Sequence, residues 1–137
     1  MRALHFLLIA ISFFACASGK MSSPDLNGSW KPVHQEIGGT RLPEAVVTSQ
    51  QLIIADTNYT VIAESVDKGS MKFNGDKIDI YSKEGVNAGK HFTAIYKLKN
   101  DSLTVCYNLA GDGYPAEFTT AGQPLYFLSV FTRMNSK

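Results

Sequence analysis

Few side chains in this sequence could act as nucleophiles, general bases or metal ligands. Beyond Cys16, the candidates are Cys106 and two histidines, His34 and His91. Nucleophilic catalysis needs a base within hydrogen-bond reach, and a metal centre needs three or four clustered ligands, yet the sequence has no C-x-x-C or H-x-x-x-H pattern. A lone strand cysteine is usually a buried, inert thiol. We therefore expect no catalytic residue, no metal site and no cofactor.

Two side chains on predicted strands suit ligand binding better than catalysis. Asp79 lies in the middle of KIDIYS, where its carboxylate either faces solvent or hydrogen-bonds across the barrel. Tyr107 alternates with Leu103 and Val105, so it shares their predicted inward face. Cys106 occupies the opposite face, which points outward or toward a covering element.

A long irregular segment, residues 109–123, is the strongest functional candidate. Structureless loops of this length are uncommon in small domains and are often functional. This one carries Tyr114, Pro115 and Phe118, which have nothing local to pack against. They either close over the mouth of a barrel or pin the loop to its outer wall.

The elements that would position these residues are short strands with a period of two, separated by turn residues. No sizeable helix separates them, which excludes parallel βαβ units and favours an antiparallel meander. One short helix is predicted over residues 42–50, after the first strand, which proline at position 32 should bend. The eight predicted strands are GSWKPVHQEI, QLIIAD, YTVIAESV, SMKFN, KIDIYS, KHFTAIYKL, SLTVCYN and PLYFLSVFTR.

An eight-stranded meander with a coherent apolar face closes well into a barrel, because closure removes the exposed edges. A two-sheet sandwich would use similar strands, but no Greek-key crossover is evident. We therefore predict an all-β, antiparallel up-and-down barrel. The predicted inward residues are Leu52, Ile54, Val61, Ala63, Met71, Phe73, Ile78, Ile80, Leu103, Val105 and Tyr107.

The last strand is apolar on both faces. Phe127 and Phe131 lie on one face, and Tyr126, Leu128 and Val130 lie on the other. A strand of this kind is covered on both sides. One face should line the barrel, and the other needs the 42–50 helix, a partner protein or a membrane as cover.

The N-terminal segment has the features of an export signal. Arg2 precedes the apolar stretch ALHFLLIAISFFA, which is too short to cross a bilayer as a helix. Two cleavage sites compete: one makes Cys16 the lipidated first residue of a lipoprotein, and the other follows Ala17. We predict a signal peptide over 1–15, lipidation at Cys16, a flexible tether over 16–25 and a barrel domain over 26–134.

Charge and cysteine content narrow the function classes further. Loss of residues 1–15 removes Arg2 and leaves twelve of the 13 basic residues against 12 acidic ones. No basic stripe indicates nucleic acid, and no polybasic patch indicates anionic lipid headgroups. Either cleavage leaves Cys106 without an internal disulfide partner, so the stability of the fold must depend on its apolar core and on the hydrogen bonds between its strands.

One pairing links the two ends of the predicted barrel. Gly28 and Trp30 form a Gly-x-Trp pattern on the first strand, and Arg133 ends the last strand. A guanidinium over an indole face gains about 0.5–2 kcal/mol and would join the first strand to the last. The pattern resembles that of the lipocalins and their calycin relatives, in which the tryptophan plugs the closed end of the barrel beneath the arginine. The alternative is a simple core tryptophan and a surface arginine.

A closer resemblance extends over roughly residues 25–134. The chain resembles a family of small bacterial exported domains usually called lipocalin-like, numerous in planctomycetes. Tyr114 is a departure, because the family usually has arginine there, and this puts the role of that position in doubt. The resemblance implies an eight-stranded barrel, ligand binding and no established reaction. The matching residues are Leu26, Gly28, Trp30, Ile78, Asp79, Gly89, Lys90, Ile95, Tyr96, Leu103, Cys106, Tyr107, Pro115 and Phe118.

Two functions follow as predictions. The first is an exported, membrane-anchored barrel in the cell envelope, or a soluble periplasmic or secreted one, that binds a small apolar or amphipathic molecule. The second is a non-enzymatic protein-binding module, such as a protease inhibitor, whose core is filled by Phe73, Tyr107, Phe127 and Phe131. A continuous apolar pocket of about 300 Å³ or more would favour the first.

Overall fold

The structure is a computed structural model that describes residues 25–135. The predicted signal peptide, Cys16 and nearly all of the predicted tether lie outside the described residues. One five-residue helix, α1 (Glu44–Thr48), accompanies nine strands. The strands are β1 (Gly28–Ile37), β2 (Thr40–Arg41), β3 (Gln51–Ala55), β4 (Asn58–Ile62), β5 (Val66–Asn74), β6 (Lys77–Glu84), β7 (His91–Lys99), β8 (Ser102–Asn108) and β9 (Tyr126–Arg133).

The strands form a closed antiparallel barrel. From β3 to β9 each strand pairs with the next along the chain, and β1 pairs with both β3 and β9. The two-residue β2 only extends β1 as a short hairpin. The predicted eight-stranded up-and-down barrel, with one short helix after the first strand, is thus confirmed.

Strand β1 changes partners along its length. Residues 28–30 pair with β3, and residues 30–37 pair with β9, with a register shift between Pro32 and His34. This irregularity is expected at a proline, which cannot donate a ladder hydrogen bond. Where β1 leaves β3, α1 packs against β1 and buries Val47.

The barrel has two different ends. The closed end contains the start of β1, the end of β9 and the tight turns at 55–58, 74–77 and 99–102. The open end contains the α1 segment, the turn at 63–65 and the loops at 85–90 and 109–125. The long connections therefore all lie at one end.

The interior residues follow the predicted alternation with one exception. Ten of the eleven predicted inward side chains belong to the core or line the interior, but Ala63 is exposed in the turn after β4. The predicted strands YTVIAESV and SMKFN leave residues 67–69 between them as a turn; this prediction was wrong, because the turn lies at residues 63–65. Gly69 instead lies inside β5, where an added Cβ would come within 2.8 Å of the Tyr59 ring and still closer to the Tyr81 carbonyl oxygen. Gly69 therefore does not form a turn; its lack of a side chain lets the Tyr59 ring and the Tyr81 carbonyl oxygen lie close to its backbone.

The outer face of β7–β9 is covered by the 109–125 loop. Ile95, Cys106 and Leu128 form a second buried cluster, against which Phe118 and Tyr126 pack. The expectation that α1 was the only internal cover for the last strand was wrong, because an irregular loop with a phenylalanine can bury apolar surface as a helix does. Within residues 25–135 no helix is both long and apolar enough to cross a bilayer.

Candidate ligand-binding cavity

The closed end is sealed by Trp30 and Arg133. Trp30 is fully buried, and its indole nitrogen donates to the carbonyl oxygen of Leu26 at 2.8 Å. The Arg133 guanidinium lies 4.2 Å from the centre of the indole. It donates to the carbonyl oxygens of Asn27 at 2.6 Å and Asp25 at 2.9 Å. The two strand ends are thereby joined through a ring contact and through hydrogen bonds.

Gly28 belongs to the same arrangement. Its φ of +126° is a conformation that residues with a side chain rarely adopt. A Cβ there would also lie 3.4 Å from Nη1 of Arg133. The structure therefore brings together Gly28, Trp30 and Arg133, the three residues of the predicted closure.

Above this plug lies a cavity of about 460 Å³ inside the barrel. Phe73, Tyr107, Phe127 and Phe131 line its wall and do not fill it. The rest of the apolar wall consists of Leu26, Leu52, Ile54, Tyr59, Val61, Met71, Ile78, Ile80, Phe92, Tyr96, Leu103, Val105 and Leu109.

Polar side chains in the cavity wall are concentrated toward the open end. They are Gln35, Gln50, Gln51, Asp67, Asn87 and Lys90. Sequence reasoning assigned none of the six to the ligand site and named Lys90 only as a match to the resembling family, because charged and amide residues next to turns are usually solvated. The cavity is therefore apolar in its interior and polar at its mouth.

Two amides link the α1 segment to the barrel wall. Gln35 Nε2 donates to Gln50 Oε1 at 2.9 Å, and Gln50 Nε2 donates back to Gln35 Oε1 at 2.8 Å. Gln35 is only 1% exposed and also donates to the Ser129 hydroxyl at 3.1 Å. A buried amide is costly unless paired, so this reciprocal pair holds α1 across the gap between β1 and β3.

The phenols of the wall are neutral donors. Burial raises the pKa of Tyr59, Tyr96 and Tyr107 above the ordinary value for tyrosine. Of these three tyrosines, Tyr107 has the largest increase in pKa. The ring of Tyr96 packs edge-on against Phe73, with 5.6 Å between ring centres. The predicted ligand candidates Tyr96 and Tyr107 thus face the cavity and offer uncharged hydroxyl groups.

The other predicted ligand candidates lie on the outer wall. Asp79 accepts from the Tyr114 hydroxyl at 2.6 Å, and its other oxygen lies 2.8 Å from Nε2 of His91. The Tyr114 hydrogen bond is the main cause of a lowered pKa at Asp79, and Asp79 in turn raises the pKa of Tyr114. Asp79 faces outward and is hydrogen-bonded to the loop. This arrangement lies between the two that were predicted, a carboxylate that faces solvent and one that hydrogen-bonds across the barrel.

These contacts pin the 109–125 loop to the barrel instead of closing it over the mouth. Thr93 donates to the Gly113 carbonyl oxygen, and the Lys97 ammonium lies 4.5 Å from the Phe118 ring centre. Pro115 is buried. Tyr114, Pro115 and Phe118 do not line the cavity. Their placement matches the outer-wall alternative, and Tyr114 makes the loop contact at the position where the resembling family has arginine.

Cys106 lies beneath the same loop. It is fully buried, and its Sγ lies 3.9 Å from the Thr119 carbonyl oxygen. Burial raises the pKa of its thiol, which disfavours the nucleophilic thiolate. Among residues 25–135 no three histidine, cysteine, aspartate or glutamate side chains cluster as metal ligands.

Comparison of the chain with protein-family models, curated proteins and solved structures gave no match. The resemblance to lipocalin-like exported domains therefore stays a prediction from the motifs.

Proposed function

We propose that this protein is an exported, lipid-anchored barrel that binds a small apolar or amphipathic molecule in its interior. The observation that carries the proposal is the cavity of about 460 Å³. Its size lies within the range of pockets that bind small ligands, and its apolar wall with a few polar groups is typical of them. The proposal assigns no reaction to the site.

The energetics of the cavity support occupation by an apolar group. Transfer of apolar surface from water into such a wall gains roughly 25 cal/mol for each Å². The neutral phenols of Tyr59, Tyr96 and Tyr107 add hydrogen-bonding groups without the desolvation cost of a buried charge. A largely preformed wall also limits the conformational entropy that binding must offset.

The alternative of a protein-binding module with a filled core loses its main argument. It required Phe73, Tyr107, Phe127 and Phe131 to fill the interior, and these side chains line open space instead. The open volume favours a small molecule over a protein as the ligand of the interior.

The proposed anchor fits the placement of the barrel ends. The chain enters the barrel at Asp25, which Arg133 holds at the closed end. An acyl chain on Cys16 would therefore attach the protein through its closed end and leave the open end accessible. Cys16→Ser should release the protein from membranes into the soluble exported fraction. Unchanged fractionation of that variant would contradict the lipid anchor.

Ligand binding is tested with the neutral fluorescent probe N-phenyl-1-naphthylamine. Its emission should rise on titration into protein that starts at Ser18. Val105→Phe adds a ring to the cavity wall and should weaken binding. Thr104→Phe is the matched control, because position 104 on the same strand is not part of that wall. Equal binding by both variants, once their folding is verified by circular dichroism, would contradict binding in the interior.

A further inference from the structure

The outer face of β4–β7 carries a row of small polar residues that ends at exposed rings. Asn58 pairs with Ser70, Ser70 pairs with Tyr81, and Tyr81 pairs with His91. The four residues therefore lie side by side across four strands. Their side chains point away from the barrel, because their neighbours along each strand belong to the core or pack against it. We call these four residues the outer shelf.

Tyr81 forms the wall of the outer shelf. Its ring is 42% exposed and stacks with one face on His91, with 4.8 Å between ring centres and 19° between ring planes. On its other side the next residue of the row is Ser70, whose side chain is too short to cover a ring. Adjacent strands are about 5 Å apart, so Asn58 lies about 10 Å from Tyr81, across Ser70. The ring thus has one packed face and one that borders a shallow recess.

The ring beneath Tyr81 is itself held in place. Nε2 of His91 lies 2.8 Å from one oxygen of Asp79, and the other oxygen accepts from the Tyr114 hydroxyl at 2.6 Å. A Cβ at Gly111 would lie 3.4 Å from Nδ1 of His91. The Tyr81 ring therefore rests on a fixed support, which lowers the entropy that a ligand stacked on it would have to offset.

The charges around the outer shelf largely offset one another. Lys72 lies opposite Asp79, and Lys68 lies opposite Glu84. Exposed ion pairs contribute only about 0–1 kcal/mol, so the remaining lysines at the ends of β6 give little selectivity for an anion. The charged residues of β5 and β6 outside the cavity wall are Lys68, Lys72, Lys77, Asp79, Lys83 and Glu84. This charge balance favours an uncharged ligand with many hydrogen-bonding groups.

The composition of this face matches a sugar better than a protein. The cores of protein interfaces are apolar and depleted in lysine, whereas the outer shelf has no aliphatic residue and Lys72 stands beside it. A pyranose ring has a face of C–H groups that can stack on an aromatic ring. Its hydroxyl groups can both donate and accept hydrogen bonds, as the side chains of Asn58 and Ser70 require.

We propose that the outer shelf binds a neutral glycan, with one pyranose ring stacked on the open face of Tyr81. The sugar hydroxyl groups bond to Asn58, Ser70 and Lys72. This site is independent of the interior ligand, because Tyr81 and its neighbours in the row lie outside the cavity wall.

The test titrates protein that starts at Ser18 with three neutral glycans, cellohexaose, maltohexaose and mannohexaose, and follows the NMR signals of the backbone and the tyrosine rings. At least one glycan should shift the signals of Ser70 and Tyr81 in a saturable way. Hexagalacturonate is the anionic comparison and should bind no more tightly than that glycan.

Variants locate the contact. Tyr81→Ala should weaken binding roughly three- to tenfold through loss of buried C–H surface, whereas Tyr81→Phe keeps the ring and should retain binding. Ser70→Phe fills the recess and should abolish binding. Thr104→Phe adds the same ring on β8, away from the outer shelf, and is the control. Circular dichroism verifies the folding of each variant.

Each outcome decides between the alternatives. Unchanged Ser70 and Tyr81 signals with all three neutral glycans would overturn the glycan site. Tightest binding of hexagalacturonate would overturn the neutral ligand, and equal binding by Tyr81→Ala and Tyr81→Phe would overturn the stacking. Affinity for N-phenyl-1-naphthylamine should be the same with and without glycan, so failure of that probe to bind would contradict only the interior ligand.

Discussion

The two ends of this barrel treat their polar groups differently. At the closed end the Trp30 indole and the Arg133 guanidinium each have defined hydrogen-bond partners within 3.3 Å. At the open end the Ser82 hydroxyl has only the Tyr59 phenol nearby, in a contact outside ordinary hydrogen-bond geometry, and the Lys90 ammonium has one 3.4 Å contact with Asn87 among the described residues. One end is therefore built to hold the strands together, whereas the other keeps polar groups available.

This difference predicts that substitutions at the closed end alter stability and leave the ligand site unchanged, whereas substitutions near the open end alter both. Four measurements test that contrast.

The largest expected effect comes from Trp30→Ala. It removes a fully buried ring and should lower the free energy of unfolding by about 3–5 kcal/mol, a large share of a small domain's stability. Urea titration of protein starting at Ser18 measures this. Val33→Ala, on the same strand but 51% exposed, is the control and should change stability by less than about 0.5 kcal/mol. Equal losses would contradict the role of the plug.

Gly69→Ala should have the next largest effect. The added methyl group would press on the Tyr59 ring and the Tyr81 carbonyl oxygen, so we expect a loss of about 1–3 kcal/mol from strain. Because Tyr59 lines the cavity, the variant should also change probe affinity. Ser70→Ala, the next residue on β5, should do neither. A stable variant with unaltered probe binding would show that Tyr59 can move freely.

Arg133→Ala should lower the free energy of unfolding by about 1–2 kcal/mol, through loss of its ring contact and of its packed stem. The double variant with Trp30→Ala should lose at least about 0.5 kcal/mol less than the sum of the two single losses, because residues in contact are not additive. Arg133→Lys should not fully restore stability, since an ammonium lacks the planar face. Strict additivity in urea titrations would argue against coupling between the two residues.

The smallest effect concerns the outer wall. The lowered pKa of Asp79 means that its hydrogen bonds contribute stability above about pH 4, and that this contribution is lost as pH falls through the folded pKa. Tyr114→Phe removes the main cause, so the Asp79 pKa should rise toward its ordinary value in an NMR titration of the carboxyl group. Tyr81→Phe, which leaves both hydrogen bonds of Asp79 in place, is the control. Probe affinity should stay unchanged, because Tyr114 lies outside the cavity wall.

Much of the barrel could be predicted because it depends on local patterns. Strict alternation identifies inward residues such as Ile78 and Ile80, and a Gly-x-Trp pattern with a distant arginine is specific enough to predict a closure. Gly69 was misinterpreted as a turn residue, because the sequence does not show that Tyr59 lies over it from the neighbouring strand.

The open end was harder to predict for a similar reason. Gln35 and Gln50 are paired only because β1 leaves β3 and α1 packs into the gap, a tertiary event without a local signal. The inward orientation of Ser82 could have been predicted, because Ser82 continues the alternation of Ile78 and Ile80 on β6. The sequence singled out the loop as a functional candidate, but it did not show whether Phe118 lies over the mouth or on the outer wall, because that depends on the apolar surface of Ile95 and Leu128.

The positions at which the chain enters and leaves the barrel also have a mechanical consequence. Strands β1 and β9 are antiparallel, and residues 25 and 135 leave the barrel at the same end of that pair. A force that pulls these residues apart would load the hydrogen bonds between β1 and β9 one after another, as in unzipping, instead of all together, as in shear. Because the Arg133 contacts with Asp25 and Asn27 lie at the loaded end, they would break first and set the force at which the barrel opens.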